Sequence, residues 1–125
     1  MAKIDLKDAY FTVPIHPLDR VFLQFKWWGK TWEFTCMAFG LSSAPWVFTK
    51  LLKPVVTWLR ARGVKVVAYL DDFFICADSE EAVLKAVGMV RGILEYLGFV
   101  INDGKSVESP LQVMEFLGFL LTRVP

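Results

Sequence analysis

Cysteine and histidine are scarce in this sequence, with Cys36, Cys76 and His16 the only examples among 125 residues. Neither a CxxC pair nor a Cys/His ligand spacing occurs, which argues against a zinc-organised module or a disulfide framework and for reduced thiols in an intracellular chain. An excess of one charge is missing as well: 14 Lys and Arg stand against 13 Asp and Glu, a net charge of +1. The chain therefore lacks the overall basic field that marks an autonomous nucleic-acid binder. Long apolar runs are absent too, because Asp71 and Asp72 interrupt the longest candidate short of the ~18 residues of a membrane span. Charged residues in MAKIDLKDAY stand where a signal peptide would be apolar, so no membrane partner is expected and the compartment is left between cytoplasm and nucleus. Repeats, low-complexity tracts and Ser/Gly/Pro linkers are missing, and one domain is expected over residues 1–125.

What is present is apolar material: 55% of residues are hydrophobic and 15% aromatic, ample for a core. The chain opens directly on a strand-like segment and closes on FLGFLLTRVP, which reads as a piece of a longer polypeptide.

KIDLKDAYFTVPI is a β-like segment carrying Asp5 and closed by Pro14 and Pro17. VFLQFKW and KTWEFTCM flank Trp28-Gly29 as a β-hairpin. From Ser42 or Ser43 the spacing turns helical, with Pro45 in the first turn, an apolar row Phe48, Leu52, Val55, Leu59, and Gly63 as the stop. Pro54 inside that stretch predicts a kink or split. Strand character returns over 64–77. A second helix starts at the Asp78/Glu81 capping pattern, runs along Val83, Val87, Val90, Leu94 and Leu97, and ends at Gly98. A short strand FVI, a turn at Asn102-Asp103-Gly104 and a strand pair in VMEFLGFLL complete the order. The fold class is α+β, an antiparallel sheet covered on one face by two helices.

The chemically informative stretch is VVAYLDDFFICA, where Asp71 and Asp72 lie between apolar arms 66–70 and 73–77. A two-residue turn would set both carboxylates at the tip of a hairpin. Asp-Asp is a poor turn dipeptide, because its charges repel unless something positive lies between them. Two solvated carboxylates on a turn remain the simpler structural reading. With Asp5 at the end of another strand, three carboxylates gathered together suit hard divalent cations such as Mg²⁺.

KIDLKDAYF (3–11), FGLSSAP (39–45), YLDD (69–72), LGFVINDGKS (97–106) and FLGF (116–119) follow the order and approximate spacing of reverse transcriptase motifs. Together they resemble the palm of a retrotransposon reverse transcriptase, similar to the DIRS-like group and its long-terminal-repeat relatives. The resemblance implies a polymerase palm-like fold, RNA-directed DNA polymerase activity and two Mg²⁺ ions, replaceable by Mn²⁺. It implies as partners an RNA or DNA template, a DNA primer, a dNTP and the remaining polymerase domains of a polyprotein. It also implies a palm fragment lacking most of the fingers, the thumb and any ribonuclease H region.

Carried over residue by residue, the resemblance makes Asp5 and Asp71 the main metal ligands, with Asp72 in support and the Leu6 carbonyl an additional donor. Tyr10 would sit beneath the incoming sugar and exclude a 2′-hydroxyl. Backbone amides around Asp8 and Ala9 would meet the triphosphate, and Phe39 and Gly40 would line the nucleotide and template pocket. Lys105 would protonate the leaving pyrophosphate. Tyr69 and Leu70 would lie beside the primer end, and Phe116, Leu117 and Gly118 would form the primer grip. Read without the resemblance, Tyr10, Phe39 and Phe116 are core aromatics, Lys105 and Asp8 are solvated charges, and His16 has no catalytic role. Two other functions stay open at this level: a catalytically inactive retroelement-derived module that binds nucleic acid or protein, and a nucleotide cyclase on a palm-like fold. FGLSSAP and FLGF speak against the cyclase.

Overall fold

Alternation decides the first strand. Ala2, Ile4 and Leu6 are buried, while Lys3 and Asp5 are half-buried on the other side of β1, Ala2–Lys7. The computed structural model describes residues 1–38 and 43–123. Extended structure stops at Asp8, whose φ of 50° lies in the left-handed region, and the chain continues as a 3₁₀ turn over Ala9–Thr12. The β-like segment expected to run on to Pro14 is therefore shorter. A second 3₁₀ segment, Pro17–Leu23, is capped by His16, whose Nδ1 accepts from the Leu18 amide at 3.2 Å.

The expected hairpin forms from β2, Gln24–Trp27, and β3, Lys30–Glu33. Trp28 and Gly29 both take positive φ, 52° and 69°, as a type I′ turn requires. Helix α1, Ala44–Ala61, buries Ala44, Phe48, Leu52 and Leu59 and runs unbroken through Pro54. The predicted split does not occur because Pro54 lies on the exposed face, where water can meet the carbonyl it leaves unbonded. A Schellman closure ends the helix: the Gly63 amide donates to the Arg60 carbonyl and the Val64 amide to the Leu59 carbonyl.

Strands β4, Lys65–Tyr69, and β5, Asp72–Cys76, follow, then α2, Glu80–Tyr96. The cap of α2 is Ser79, not Asp78: Ser79 Oγ accepts from the Ala82 amide at 3.2 Å. Asp78 is exposed and faces Lys65 at 3.7 Å. Ser79→Ala should therefore cost about 1 kcal/mol of stability, a lost cap. Asp78→Ala should cost no more than a surface pair, at most about 0.5 kcal/mol. Urea midpoints of the two variants would reverse in order if the cap were Asp78.

Strand β6, Val100–Ile101, and the hairpin of β7, Val113–Phe116, with β8, Phe119–Thr122, complete the chain. β4, β5, β1 and β6 form one antiparallel sheet in that order. One core joins Ile4, Leu6, Val66, Phe73 and Ile75 of the sheet to Phe48 and Leu59 of α1 and Val83, Val90 and Leu94 of α2. The two helices thus cover one face, as the pattern predicted. Lys3, Asp5, Tyr69, Asp72 and Phe74 lie on the other face, which is what positions the site.

Candidate active site

Register brings the carboxylates together. Asp5 of β1 is paired directly with Asp72 of β5, and Asp72 in turn with Tyr69 of β4. The turn joining β4 to β5 is Leu70-Asp71, one residue earlier than the Asp71-Asp72 tip expected from the sequence, so Asp72 belongs to the strand. Leu70 adopts φ 53°. A left-handed conformation costs a residue with a Cβ about 1–2 kcal/mol. The core outweighs that cost: slipping the register by one would turn Phe73 and Ile75, both fully buried, out to solvent.

The Asp5 and Asp72 carboxylates face each other across the β1–β5 ladder, close enough for Asp5 to favour the protonated form of Asp72. Desolvation, the Asp5 hydrogen bond and the Asp5 charge push Asp72 up to about 6, against opposing attraction from Lys3 and Lys105. Asp71 is also raised, first by desolvation and then by the Asp72 charge, while hydrogen bonding at its own backbone and the Lys105 charge pull it down. Its backbone carbonyl accepts from the Leu6 amide at 2.9 Å. A residue in an antiparallel strand points its N–H and C=O to the same side, so the Leu6 carbonyl faces this turn as well.

Asp8, Ala9, Tyr10, Leu70 and Asp71 line a small cavity of about 90 Å³. Ala9 and Tyr10 are buried, and the Tyr10 ring stands edge-on to Phe48 with centroids 5.3 Å apart. Desolvation, then the charges of Asp71 and Tyr69, hold the Tyr10 phenol above its ordinary range. Lys105 is exposed on the loop after β6, close enough to act electrostatically on both Asp71 and Asp72. Phe116 is buried and packs on Phe74 at 5.2 Å, and Leu117-Gly118 form the β7–β8 turn with φ 54° and 78°. Phe39 and Gly40 lie outside the described residues.

The sequence reading missed Asn102 and Ser106, which hold Asp5 by its backbone: the Asn102 amide donates to the Asp5 carbonyl at 2.8 Å, and Ser106 Oγ accepts from the Asp5 amide at 3.0 Å. The signal was the pairing of an Asx residue with a serine around Asp-Gly-Lys, a pattern that makes local turns.

Residues 1–121 match the family model described as reverse transcriptase (RNA-dependent DNA polymerase). The chain belongs to this family. It is 32% identical over 120 residues to the Pro-Pol polyprotein of feline foamy virus, covering 95% of this chain and 10% of that protein. It is 31% identical over 117 residues to the transposon Tf2-3 polyprotein of Schizosaccharomyces pombe, covering 94% of this chain and 9% of that one. These relatives lie on the long-terminal-repeat side of the resemblance. The reverse transcriptase chain thus spans about a tenth of the length of these curated relatives. Among solved structures it is similar to the foamy viral protease-reverse transcriptase in complex with double-stranded DNA, with a TM-score of 0.86 and 25% identity over 97% of this chain and 20% of that one. The same viral protein in complex with an RNA/DNA hybrid superposes with a TM-score of 0.83 and 26% identity over 97% of this chain and 16% of that one. The palm-type fold of these polymerases is the fold described above.

This family generally uses divalent metals. Among the described residues, no three His, Cys, Asp or Glu side chains are gathered closely enough to hold a metal ion as they stand. Asp5 and Asp72 converge as a pair, and Asp71 borders the Tyr10 cavity one residue away. The donor set nevertheless fits a hard cation: every candidate ligand atom is oxygen, and a cation would relieve the repulsion between the carboxylates.

Proposed function

We propose that this chain is the catalytic palm of an RNA-directed DNA polymerase, transferring a deoxynucleotide to a primer 3′-hydroxyl. The observation that carries the reading is the placement of the Asp5–Asp72 pair and the Asp71 turn beside the cavity floored by Tyr10. Asp5, Asp71, Asp72 and the Leu6 carbonyl would hold two Mg²⁺ ions, with Mn²⁺ able to replace them. Bound there, the ions supply charge stabilisation to the attacking hydroxyl and the departing pyrophosphate.

The chain's own groups do the rest. Tyr10, fixed by Phe48, forms a wall against a sugar 2′-hydroxyl. Backbone amides after the Asp8 bend would meet the triphosphate, and the nucleotide-pocket role of Phe39 and Gly40 rests on the family motif alone. Lys105 would give a proton to the leaving group, a role that its charge acting on Asp71 and Asp72 supports. Tyr69, Leu70 and the Leu117–Gly118 turn would meet the primer, with Phe116 seating that turn on Phe74. Template, primer and dNTP are the partners, together with the polymerase segments of a larger polyprotein. The foamy viral neighbours, solved with double-stranded DNA and an RNA/DNA hybrid, support that substrate class.

A pH-resolved Mn²⁺ titration by NMR tests the reading. Asp72 sits at about 6 in the folded chain against an ordinary 3.8, so between those values the folded chain holds a proton that the unfolded chain has lost. Stability contributed by this pair is present at low pH and falls as pH climbs through that window. Cation affinity moves the other way, rising from about pH 5 and levelling above about pH 7 as the proton leaves. Broadening should centre on Asp5, Asp71 and Asp72, and Asp72→Asn should flatten the pH dependence. Uniform or absent broadening would favour an inactive interaction module.

A further inference from the structure

We infer that Ser106 is a positioning residue for Asp5, and that the loop 102–106 sets Asp5 and Lys105 as one unit; the inference deepens the polymerase reading and rests on it. The β1 ladder shows why a side chain is needed there. Lys3 exchanges both backbone hydrogen bonds with Val107, each 2.9 Å, and the Asp5 carbonyl accepts from the Asn102 amide at 2.8 Å. Between those two rungs the partner strand leaves the ladder, because residues 103–106 loop away from β1. The Asp5 amide consequently has no backbone carbonyl opposite it, and Ser106 Oγ takes that place at 3.0 Å.

Ser106 Oγ is itself fixed, since its hydroxyl donates to the Asn102 carbonyl at 2.7 Å. The same carbonyl accepts from the Ser106 amide at 2.9 Å and the Lys105 amide at 3.2 Å, and Asn102 Oδ1 also accepts from the Lys105 amide, at 3.3 Å. Asn102 therefore closes the turn that carries Lys105, and Ser106 ties that turn to the backbone of Asp5. Arg91 of α2 holds the loop from outside, bonding Asp103 at 2.9 Å and Glu108. An acceptor on a short side chain is what position 106 requires. Alanine leaves the Asp5 amide without a partner in a half-buried setting, whereas threonine keeps the hydroxyl.

The test compares wild type, Ser106→Ala and Ser106→Thr in the polymerase that carries this chain. Single-turnover extension at saturating dNTP should fall about tenfold or more in Ser106→Ala, as expected for a displaced catalytic group. It should need more Mg²⁺, keep its affinity for primer-template, and recover in Ser106→Thr. Amide exchange followed by NMR on the chain supplies a readout free of catalysis: Ser106→Ala should speed exchange at Asp5 far more than at Ile4 or Leu6. Unchanged extension and Mg²⁺ dependence in Ser106→Ala, or exchange that rises evenly along β1, would overturn the positioning role. A wild-type enzyme with no metal-dependent extension would sink the polymerase reading instead, while selective exchange at Asp5 would still bear out the Ser106 contact.

Discussion

Asp71→Asn, placed in the intact polymerase, is expected to reduce primer extension by about a hundredfold to a thousandfold, the scale on which preorganised charge at a reacting centre acts. Asparagine keeps the size of the side chain and leaves the Leu6-to-Asp71 backbone hydrogen bond in place, so the turn should hold its shape. The folded state should lose no stability. Asp71 is now penalised by desolvation and by the neighbouring charge of Asp72, and the neutral amide removes that repulsion. Loss of activity with an unchanged or higher urea midpoint is therefore the specific signature, measured by extension of a labelled primer and by equilibrium unfolding. Extension within a fewfold of wild type would remove Asp71 from the site.

The sheet and helices were legible because the local and global signals agree in them. Val83, Val87, Val90 and Leu94 recur at helical spacing and all four are buried, while Gly63 and Gly98 stop their helices at φ 82° and 94°. Where the reading slipped, a tertiary demand had overridden a local preference. Asp78 is as good a cap residue as Ser79 in isolation, but in the fold Asp78 faces Lys65 while Ser79 Oγ takes the Ala82 amide. Pro54 reads as a helix breaker unless its face is known.

The site was legible in part. Asp71 and Asp72 stood out as carboxylates in apolar surroundings and Asp5 as a carboxylate at the end of another strand, yet nothing in the spacing from 5 to 72 states that Asp5 lies opposite Asp72 rather than Asp71. That pairing follows from the period-2 alternation of two strands, both of which must send Ile4 or Phe73 inward. Asn102 and Ser106 escaped notice because their work is done on the backbone of a residue about a hundred positions away. The Asx and serine pattern at 102–106 signals a local turn but does not by itself point to Asp5.

Phe48→Ala should have the largest effect on stability. The side chain is fully buried on α1 and stands edge-on to two rings, Tyr10 at 5.3 Å and Phe99 at 6.3 Å. Removing it costs the transfer energy of the ring plus a cavity, about 3–5 kcal/mol. Against a total of about 5–15 kcal/mol for a native domain, that is enough to unfold much of the population. Phe48→Leu separates packing from positioning, because leucine fills most of the volume without offering an aromatic edge to Tyr10. With the fold retained, the Tyr10 ring gains freedom to move, and the polymerase should accept ribonucleotides more readily relative to deoxynucleotides. Urea unfolding of the alanine variant and a dNTP-to-NTP extension ratio for the leucine variant read the two effects separately. An alanine variant as stable as wild type would deny α1 its anchor, and an unchanged sugar ratio in the leucine variant would deny Phe48 its hold on Tyr10.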